Sequence, residues 1–292
     1  MNRSYFFIFI IYIIVMIAIL MSTYNGEKYI REQIDSILYQ TYSDWSLYIR
    51  DDGSTDDILS VIKSYTNVYP NKIYLYKDSL GNLGFARSFM FLLENIEADY
   101  YMFCDQDDVW FSTKIDRSLS KMREQEDLHK NASVCVFTDL CVTDEKLNVV
   151  SESMFNPLKR DPYKCNNIYY LANSWLFSGN TLLFNKSCRD KVIIGYNSEF
   201  SHDLWISLVN AKYGINVYLN EATIYYRQHS FNLHGALKGK RNFRNNLMRL
   251  FVSPIRLIRD NILLCRKYNL LPYNVCYVKM FLYKFLVVLK EM

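Results

Sequence analysis

Three carboxylates fall within four positions of the sequence, directly after an apolar run. Residues 100–104 read Tyr-Tyr-Met-Phe-Cys, and Asp105, Asp107 and Asp108 follow them. Negative charges this close together repel one another, and carboxylates at the end of a buried strand lose solvation. A divalent cation with oxygen ligands compensates for both effects. The pattern therefore favours a metal site, and the structural alternative is a solvated acidic turn.

The elements that would position this acidic loop alternate along the first hundred residues. The apolar runs with strand character are 17–21, 45–50, 73–76 and 100–104. Helical spacing of apolar residues follows each of the first three runs. This alternation predicts an α/β fold with a mostly parallel central sheet flanked by helices. Ligands of such sheets bind beyond the carboxyl ends of the strands. We therefore expect one site to be formed by the polar loops at 22–27, 51–57 and 105–108.

Composition limits the number of domains and the redox compartment. With 292 residues, half of them hydrophobic, the chain can bury one sizeable core and carry an appendage. The seven cysteines form no Cys-x-x-Cys pair, and Cys104, Cys135 and Cys276 lie in apolar surroundings. We expect reduced core cysteines in a reducing cytoplasm. The four histidines have no paired spacing, so the sequence carries no zinc signature.

Charge is distributed unevenly along the chain. Residues 237–292 contain twelve Lys and Arg against two acidic residues, a net charge of +10, which leaves −6 for residues 1–236. Pro254 and Pro272 divide this tail into apolar, basic segments, which predicts a C-terminal tail of amphipathic helices. Its Leu, Ile, Phe and Val content favours a membrane surface over nucleic acid. The alternatives are packing of the tail on the body or a dimer contact.

The N-terminus allows three interpretations. Residues 5–21 contain no charge and follow Arg3, which is typical of a short signal anchor. However, a strand at 17–21 that belongs to the core cannot also cross a bilayer. Residues 1–15 would then be a membrane-dipping leader, or an upstream extension of a protein that starts at Met16.

Three motifs together resemble a known enzyme family. They are Ser22-Thr23-Tyr24-Asn25-Gly26-Glu27, Asp51-Asp52-Gly53-Ser54-Thr55-Asp56 and Asp105-Gln106-Asp107-Asp108-Val109-Trp110. In this order they resemble the family 2 glycosyltransferases of the type A (GT-A) fold, and the third motif resembles the bacterial rhamnosyltransferase-like branch. The resemblance covers about 16–235. It implies a catalytic domain at 16–236, with a nucleotide-sugar-binding half at 16–110 and an acceptor half at 111–236, before the tail at 237–292.

The resemblance implies roles for residues of the first half. Tyr24 would stack on the nucleotide base, and Asp52 would accept a hydrogen bond from the ring N–H. Asp107 would bind Mg²⁺ or Mn²⁺ bridged to the diphosphate. The implied nucleotide-binding residues are Ser22, Tyr24, Asn25, Glu27, Asp52, Asn82, Arg87 and Asp105. The structural alternatives are a core tyrosine at Tyr24, a helix cap at Asp52 and a solvated helix residue at Arg87.

For the second half, the resemblance implies an acceptor site. Asp203 would be the general base that takes the proton of the acceptor hydroxyl, with an N-cap as its structural alternative. The residues implied in metal or diphosphate support are Asp108, Arg227, Gln228 and His229. Those implied in the acceptor or sugar pocket are Trp110, Gly179, Asn180, His202 and Trp205.

Together these observations predict an inverting, metal-dependent glycosyltransferase. Its donor would be dTDP-rhamnose or a UDP-hexose, and its acceptor a lipid-linked saccharide of a cell-surface polysaccharide. It would work at the cytoplasmic face of the bacterial inner membrane, bound peripherally or through a short N-terminal segment. The alternatives are an inactive nucleotide- or carbohydrate-binding relative and a nucleotidyltransferase. The latter would carry a glycine-rich, basic loop after its first strand, whereas residues 22–28 contain one glycine and one lysine.

Overall fold

The structure is a computed structural model that describes residues 16–174, 176–229, 268, 271 and 273–283. Within these residues, nine strands form one sheet with the order β3-β2-β1-β4-β8-β6-β9-β5, and β7 pairs with β6. The strands are β1 (Ile17–Thr23), β2 (Trp45–Asp51), β3 (Ile73–Tyr76), β4 (Tyr100–Cys104), β5 (Val109–Trp110), β6 (Val134–Thr143), β7 (Val149–Ser151), β8 (Leu182–Asn185) and β9 (Ile215–Arg227). The helices are α1 (Glu27–Leu38), α2 (Ile58–Val68), α3 (Phe85–Asn95), α4 (Lys114–Leu128), α5 (Ile168–Leu171), α6 (Lys186–Val192) and α7 (His202–Tyr213).

The first half of the sheet is parallel, as expected. β1 lies between β2 and β4 and is parallel to both, and β3 is parallel to β2. Residues 17–21 are fully buried, which agrees with a central strand covered on both faces. The carboxyl ends of β1, β2 and β4 therefore meet at one edge, where the three motif loops begin.

The second half of the sheet is mixed. β8 is antiparallel to both β4 and β6, whereas β6 and β9 are parallel. The two-residue strand β5 pairs with Ile224 and Tyr225 of β9, so the acidic loop is held between β4 and β5. This pairing brings the end of β9 next to the acidic loop.

Part of the C-terminal tail packs on the body. Residues 277–283 are helical, and the hydroxyl of Tyr283 accepts a hydrogen bond from the Asn167 side chain at 2.7 Å. The hydroxyl of Tyr273 donates to the carbonyl oxygen of Leu208 in α7 at 2.9 Å. The segment 273–283 therefore contacts the helices behind the second half of the sheet.

The structure describes the three cysteines that the sequence placed in apolar surroundings, and helices whose length and apolar character bear on membrane insertion. Cys104 and Cys135 are buried thiols as predicted, but Cys276 is exposed and its assignment to the core was wrong, because its segment lies on the outer surface. None of the helices in the described ranges has the length and apolar character needed to cross a membrane. The predicted leader at 1–15 and most of the tail at 237–292 lie outside the described residues.

Candidate active site

The three motif loops are joined by hydrogen bonds at the edge of the sheet. The Gln106 side chain accepts from the backbone N–H of Tyr24 and donates to its carbonyl oxygen, each at 2.9 Å. The side chain of Asn25 accepts from the Thr55 N–H at 2.7 Å, and the Asn25 N–H donates to Ser54 Oγ at 2.9 Å. A Cβ built on Gly26 would overlap the end of the Gln106 side chain, so a larger residue there would displace the side chain that bonds to Tyr24. The loops therefore form one surface, as the sequence predicted.

Tyr24 presents its ring at this surface. Its side chain is 51% exposed, although the backbone of the residue is fixed by Gln106. An exposed aromatic ring on an ordered loop is a ready stacking surface for a planar base. The alternative assignment of Tyr24 to the core does not hold.

Other predicted nucleotide-binding residues are engaged within the protein. The Ser22 hydroxyl donates to Ser88 Oγ at 2.7 Å. Glu27 accepts from the Asp57 N–H at 3.1 Å and its own N–H donates to Asp56. In the described structure these side chains hold the loops together, and a nucleotide would reach them only by sharing these bonds.

Asp52 is buried within a network centred on Arg50. Its carboxylate accepts from Arg50 and from the N–H groups of Leu83 and Gly84, each of the latter at 2.8 Å. The side chain of Asn82 donates to the Asp52 carbonyl oxygen at 2.8 Å. Three hydrogen bonds leave this carboxylate one lone-pair direction of its usual four for a ligand.

Arg50 was not among the residues predicted from the sequence. It is fully buried and forms a two-pronged ion pair with Asp78 at 2.7 and 3.1 Å. Its guanidinium also donates to the carbonyl oxygen of Gly81 at 2.7 Å. The signal in the sequence was a charged residue within a predicted buried strand, because a buried charge requires partners. Arg50 positions the loop 78–84 next to the Tyr24 loop.

Arg87 does not reach this site. It lies in α3 and forms a two-pronged ion pair with Glu94 of the same helix, at 2.7 and 3.0 Å. This geometry matches the alternative of a helix residue at the protein surface.

The acidic loop concentrates negative charge next to α7. Burial raises the pKa of Asp105 to about 8, and the charges of Asp107 and Asp203 add to this rise. Helix α7 reaches this end of β4, because His202, the neighbour of Asp203, packs 4.9 Å from the ring of Phe103, although almost a hundred residues separate the two in sequence. The fold brings together the residues predicted for donor binding and for proton transfer.

Asp107, like Asp105, is partly exposed, and it contacts the segment that follows β9. Its side chain retains 16% exposure, and Oδ2 lies 2.8 Å from Nε2 of His229. The His229 ring stacks on Tyr29 at a centroid distance of 4.8 Å. Predicted metal and diphosphate residues are thus adjacent here. Gln228, next to them, is anchored through its N–H to the Thr143 carbonyl oxygen at 3.0 Å.

Asp108 points away from the surface and is fully buried. It accepts from the Arg227 N–H at 3.1 Å and from the side chain of Asn180. Burial is the main cause that raises its pKa well above the usual range, and the charges of Asp107 and Asp105 add to it. Asp108 therefore supports the loop from behind. Asn180, predicted in the sugar pocket, is also fully buried and belongs to this support.

Arg227 links the acidic loop to two distant segments. Its guanidinium donates to the carbonyl oxygens of Asp107 at 2.9 Å and Glu145 at 2.8 Å, and it pairs with Glu32. Its charge lies 4.8 Å from the ring centroid of Tyr29. Arg227 is buried, so its role in the described structure is to hold the loop rather than to contact a ligand directly.

Asp203 lies in the first turn of α7. The N-cap of that helix is Ser201, so the alternative of an N-cap at Asp203 does not hold. The Asp203 carboxylate accepts from the N–H of Leu204 at 2.7 Å. That bond uses one acceptor direction of one oxygen and leaves the other oxygen for a proton transfer.

His202 is buried beside Asp203 against aromatic rings. Its ring lies 4.6 Å from that of Phe89 and 4.9 Å from that of Phe103. Neither ring nitrogen has a hydrogen-bond partner among the described residues, and burial lowers the pKa of the imidazole. A Cβ built on Gly179 would overlap His202 Nε2, which explains the glycine. The imidazole thus packs between these rings and Gly179.

The two tryptophans predicted in the sugar pocket belong to the core. Trp205 is fully buried and donates from Nε1 to the carbonyl oxygen of Val192 at 2.7 Å. Trp110 is also buried, and its backbone N–H donates to Ser36 Oγ at 3.0 Å. The prediction that they line a sugar pocket was wrong, because helix α7 and strand β5 direct these rings into the core.

The donor set of the acidic loop fits a hard divalent cation. No group of three or more His, Cys, Asp and Glu side chains in the described parts of the chain is arranged to hold a metal ion by itself. Carboxylate oxygens are nevertheless the ligands that Mg²⁺ and Mn²⁺ prefer, and Mg²⁺ is commonly bound through one or two carboxylates plus substrate phosphates. Asp107 and Asp105 would hold such an ion, which would offset the burial and the neighbouring charges of Asp107 and Asp203 that raise the pKa of Asp105.

The chain is similar to known glycosyltransferases. The model of the family "Glycosyl transferase family 2" matches residues 18–184. The chain is 36% identical over 102 residues to the dTDP-rhamnosyl transferase RfbG of Shigella flexneri, covering 34% of this chain and 35% of that protein. It is 29% identical over 220 residues to the O-antigen biosynthesis glycosyltransferase WbnJ of Escherichia coli, covering 74% and 80%. The alignments with RfbG and with EpsE of Bacillus subtilis span 35% and 44% of those relatives.

Solved structures share the fold. Staphylococcus aureus TarS 1-349 in complex with UDP-GlcNAc has a TM-score of 0.58 at 17% identity, covering 92% of this chain and 70% of that one. The mannosyltransferase PcManGT from Pyrobaculum calidifontis, in complex with GDP-Man and Mn²⁺, has a TM-score of 0.55 at 14% identity, covering 93% and 69%. These similarities confirm the predicted GT-A fold.

Proposed function

Because the chain belongs to glycosyltransferase family 2, we propose that it transfers a sugar from a nucleotide-sugar donor to a lipid-linked saccharide in the assembly of a cell-surface polysaccharide. One observation carries this proposal. An exposed aromatic ring and a partly buried acidic loop lie at one edge of the sheet, and the first turn of α7, which carries Asp203, packs there through His202 against Phe103 of β4.

Each part of this edge has a distinct task. Tyr24 stacks on the nucleotide base, while Asp105 and Asp107 face the ribose and diphosphate. A divalent cation held there would supply positive charge to the diphosphate as its bond to the sugar breaks. His229 and Arg227 contact the acidic loop and hold it in place, and Gln228 lies between them in the chain.

Asp203 acts as the general base. The acceptor oxygen forms a bond to the anomeric carbon while the bond from that carbon to the diphosphate oxygen breaks. Asp203 takes the proton of the acceptor hydroxyl in this step. Attack from the face opposite the leaving group inverts the configuration at the anomeric carbon.

The donor that we propose is dTDP-rhamnose, with a UDP-hexose as the second choice. The relative named as a dTDP-rhamnosyl transferase supports the first, and the fold neighbour solved with UDP-GlcNAc supports the second. Both share a pyrimidine base, which the exposed ring of Tyr24 suits.

Calorimetric titration with UDP and dTDP, each with and without Mn²⁺, tests the donor site. We expect one nucleotide to bind tightly and only with metal. Asp107→Asn should weaken this binding, whereas Asp127→Asn, which changes an exposed aspartate paired with Lys130, should leave it unchanged. Equal nucleotide affinity with and without Mn²⁺, or equal affinity of the Asp107→Asn and Asp127→Asn variants, would contradict the metal assignment.

We also propose that the tail holds the enzyme at an anionic membrane. The helical segment 277–283 exposes Tyr277, Val278, Phe281 and Leu282, and the surrounding tail is strongly basic. An exposed apolar helix face with basic neighbours is typical of interfacial binding. Co-sedimentation of the full chain with phosphatidylglycerol vesicles should exceed that with phosphatidylcholine vesicles.

A pair of matched variants locates this contact. Val278 and Val68 are 69% and 68% exposed on different surfaces. Val278→Glu should reduce sedimentation with anionic vesicles, and Val68→Glu should not. Equal sedimentation of both variants and the parent chain would exclude the segment as the membrane contact.

A further inference from the structure

A separate cleft of about 370 Å³ lies between β9 and the loop that follows β7. Its volume falls within the range of about 300–1,000 Å³ typical of small-molecule sites. It is lined by Asp139, Glu152, Ser153, Phe155, Asn156, Arg160, Pro162, Tyr163, Tyr218, Asn220, Glu221 and Ala222. None of these residues belongs to the donor site described above.

Three aromatic rings form one wall of the cleft. Tyr163 meets the ring of Tyr218 edge-on at 5.4 Å, and Phe155 meets the same ring at 5.6 Å. Phe155 is buried beneath, whereas Tyr163 is 71% exposed at the rim. Rings in this arrangement offer flat apolar surface together with phenol hydroxyls.

The backbone holds Tyr163 in place despite its exposure. The residue lies in a short 3₁₀ helix, Pro162–Lys164, whose N-cap Asp161 accepts from the Tyr163 N–H at 3.2 Å. The Asp161 N–H in turn donates to the hydroxyl of Tyr170 at 2.8 Å. A preorganised aromatic ring binds a ligand at a lower cost in conformational entropy than a mobile ring would.

Polar groups at the rim complement the aromatic wall. The hydroxyl of Tyr218 donates to Asn220 Oδ1 at 3.1 Å, and the amide nitrogen of Asn220 has no partner among the described residues. Glu152 and Asn156 are exposed. Amide and carboxylate groups of this kind give directional donors and acceptors for hydroxyl groups.

The charges of the cleft restrict its ligand. Asp139 accepts from Leu140 N at 2.8 Å, Met154 N at 2.9 Å and Ser153, and Glu221 pairs with Arg117. The cleft nevertheless carries three carboxylates against the single guanidinium of Arg160. This balance disfavours phosphates and acidic sugars and suits a neutral, hydroxyl-rich ligand.

We infer that this cleft is a second saccharide subsite, which binds a neutral sugar unit of the acceptor away from the reacting hydroxyl. The inference rests on the proposed function. Ala222, which lines the cleft, precedes Arg227 by five residues in β9, roughly 16 Å along the strand. A sugar in the cleft is therefore remote from the acidic loop, and an acceptor of several units would span both.

Saturation-transfer NMR with maltotriose and chitotriose tests this subsite. UDP and dTDP at saturating concentration with Mn²⁺ occupy the donor site throughout. We expect at least one trisaccharide to bind the full chain, and Tyr163→Ala to weaken that binding by about tenfold or more. Tyr39→Ala, which removes a tyrosine that is 78% exposed elsewhere, should leave it unchanged.

Two results would overturn the inference. One is that neither trisaccharide binds the full chain. The other is that the Tyr163→Ala and Asn220→Ala variants bind the trisaccharide with unchanged affinity. Nucleotide titration of the same samples separates this inference from the proposed function. Saccharide binding without nucleotide binding would reject the donor site alone, and the reverse would reject the cleft alone.

Discussion

Lys114 is a buried amine beneath the acidic loop, and replacing it by methionine should change the pH dependence of stability. Its Nζ donates to Thr223 Oγ1 at 3.2 Å and lies 4.9 Å from the ring centroid of Trp110. Burial lowers its pKa from 10.5 to about 7, since no carboxylate in contact offsets the lost solvation. Methionine fills similar space, and Thr223 keeps its hydrogen bond with Thr138.

The sign of the effect follows from proton binding. Between pH 7 and 10.5 the unfolded chain holds a proton on Lys114 that the folded chain lacks, so Lys114 makes stability rise with pH in this window. Below pH 7 both states are protonated and the contribution no longer changes. At about 1.4 kcal/mol for each pH unit, reduced near pH 7 by partial protonation, the rise between pH 7 and 9 is about 2 kcal/mol.

Urea unfolding at pH 7 and pH 9 measures this difference. Lys114→Met should be more stable than the parent chain at pH 7, and its advantage should shrink by about 2 kcal/mol at pH 9. Comparing the two chains cancels the titration of tyrosines and cysteines that they share. Lys130→Met, at an exposed lysine, should show no such change. A constant difference between Lys114→Met and the parent chain at both pH values would refute the assignment of a neutral buried amine.

Three further tests, with four substitutions, address separate parts of the site. Tyr24→Ala should weaken nucleotide binding by about 1–3 kcal/mol in calorimetry without lowering stability, and unchanged affinity would exclude base stacking. Arg227→Lys keeps the charge but cannot make all bonds to Asp107, Glu145 and Glu32, so urea unfolding should show a loss of about 3 kcal/mol; a loss below 1 kcal/mol would contradict the linking role. Gly179→Ala should cost about 1–3 kcal/mol, and His202→Ala in the same chain should restore part of it, because the overlap is then removed.

The sequence predicted the first half of the fold because its signals are local. Each strand there is a continuous apolar run, and each is followed by helical spacing or by a motif loop. Burial of β1 and β4 on both faces requires such runs. The two-residue strand β5 and the antiparallel position of β8 carried no comparable signal, because pairing partners far apart in sequence define them.

The candidate site was predictable in its loops but not in the direction of its side chains. Tyr24 and Asp107 reach the surface as expected, whereas Asp108 and Asn180 point inward. Burial of one carboxylate and exposure of its neighbour depend on the turn between β4 and β5. Periodicity does not describe a turn of this kind.

The partners of the buried charges could not be predicted from the sequence either. Arg50 of β2 contacts Asp78 and the loop at Gly81, and Arg227 of β9 contacts Glu32 in helix α1. The sequence shows that such charges need partners but does not identify them, because the contacts are made by segments far apart in the chain.

The rate of sugar transfer by the Asp203→Asn variant is the most direct test of the proposed function. The rate of nucleoside diphosphate release would be measured with the donor selected by calorimetry and a lipid-linked saccharide acceptor. Loss of the general base should lower this rate by about 10²–10⁴-fold, while the affinity for the nucleotide stays within twofold. Transfer at the parent rate with intact nucleotide binding would contradict the assignment of Asp203 as the base.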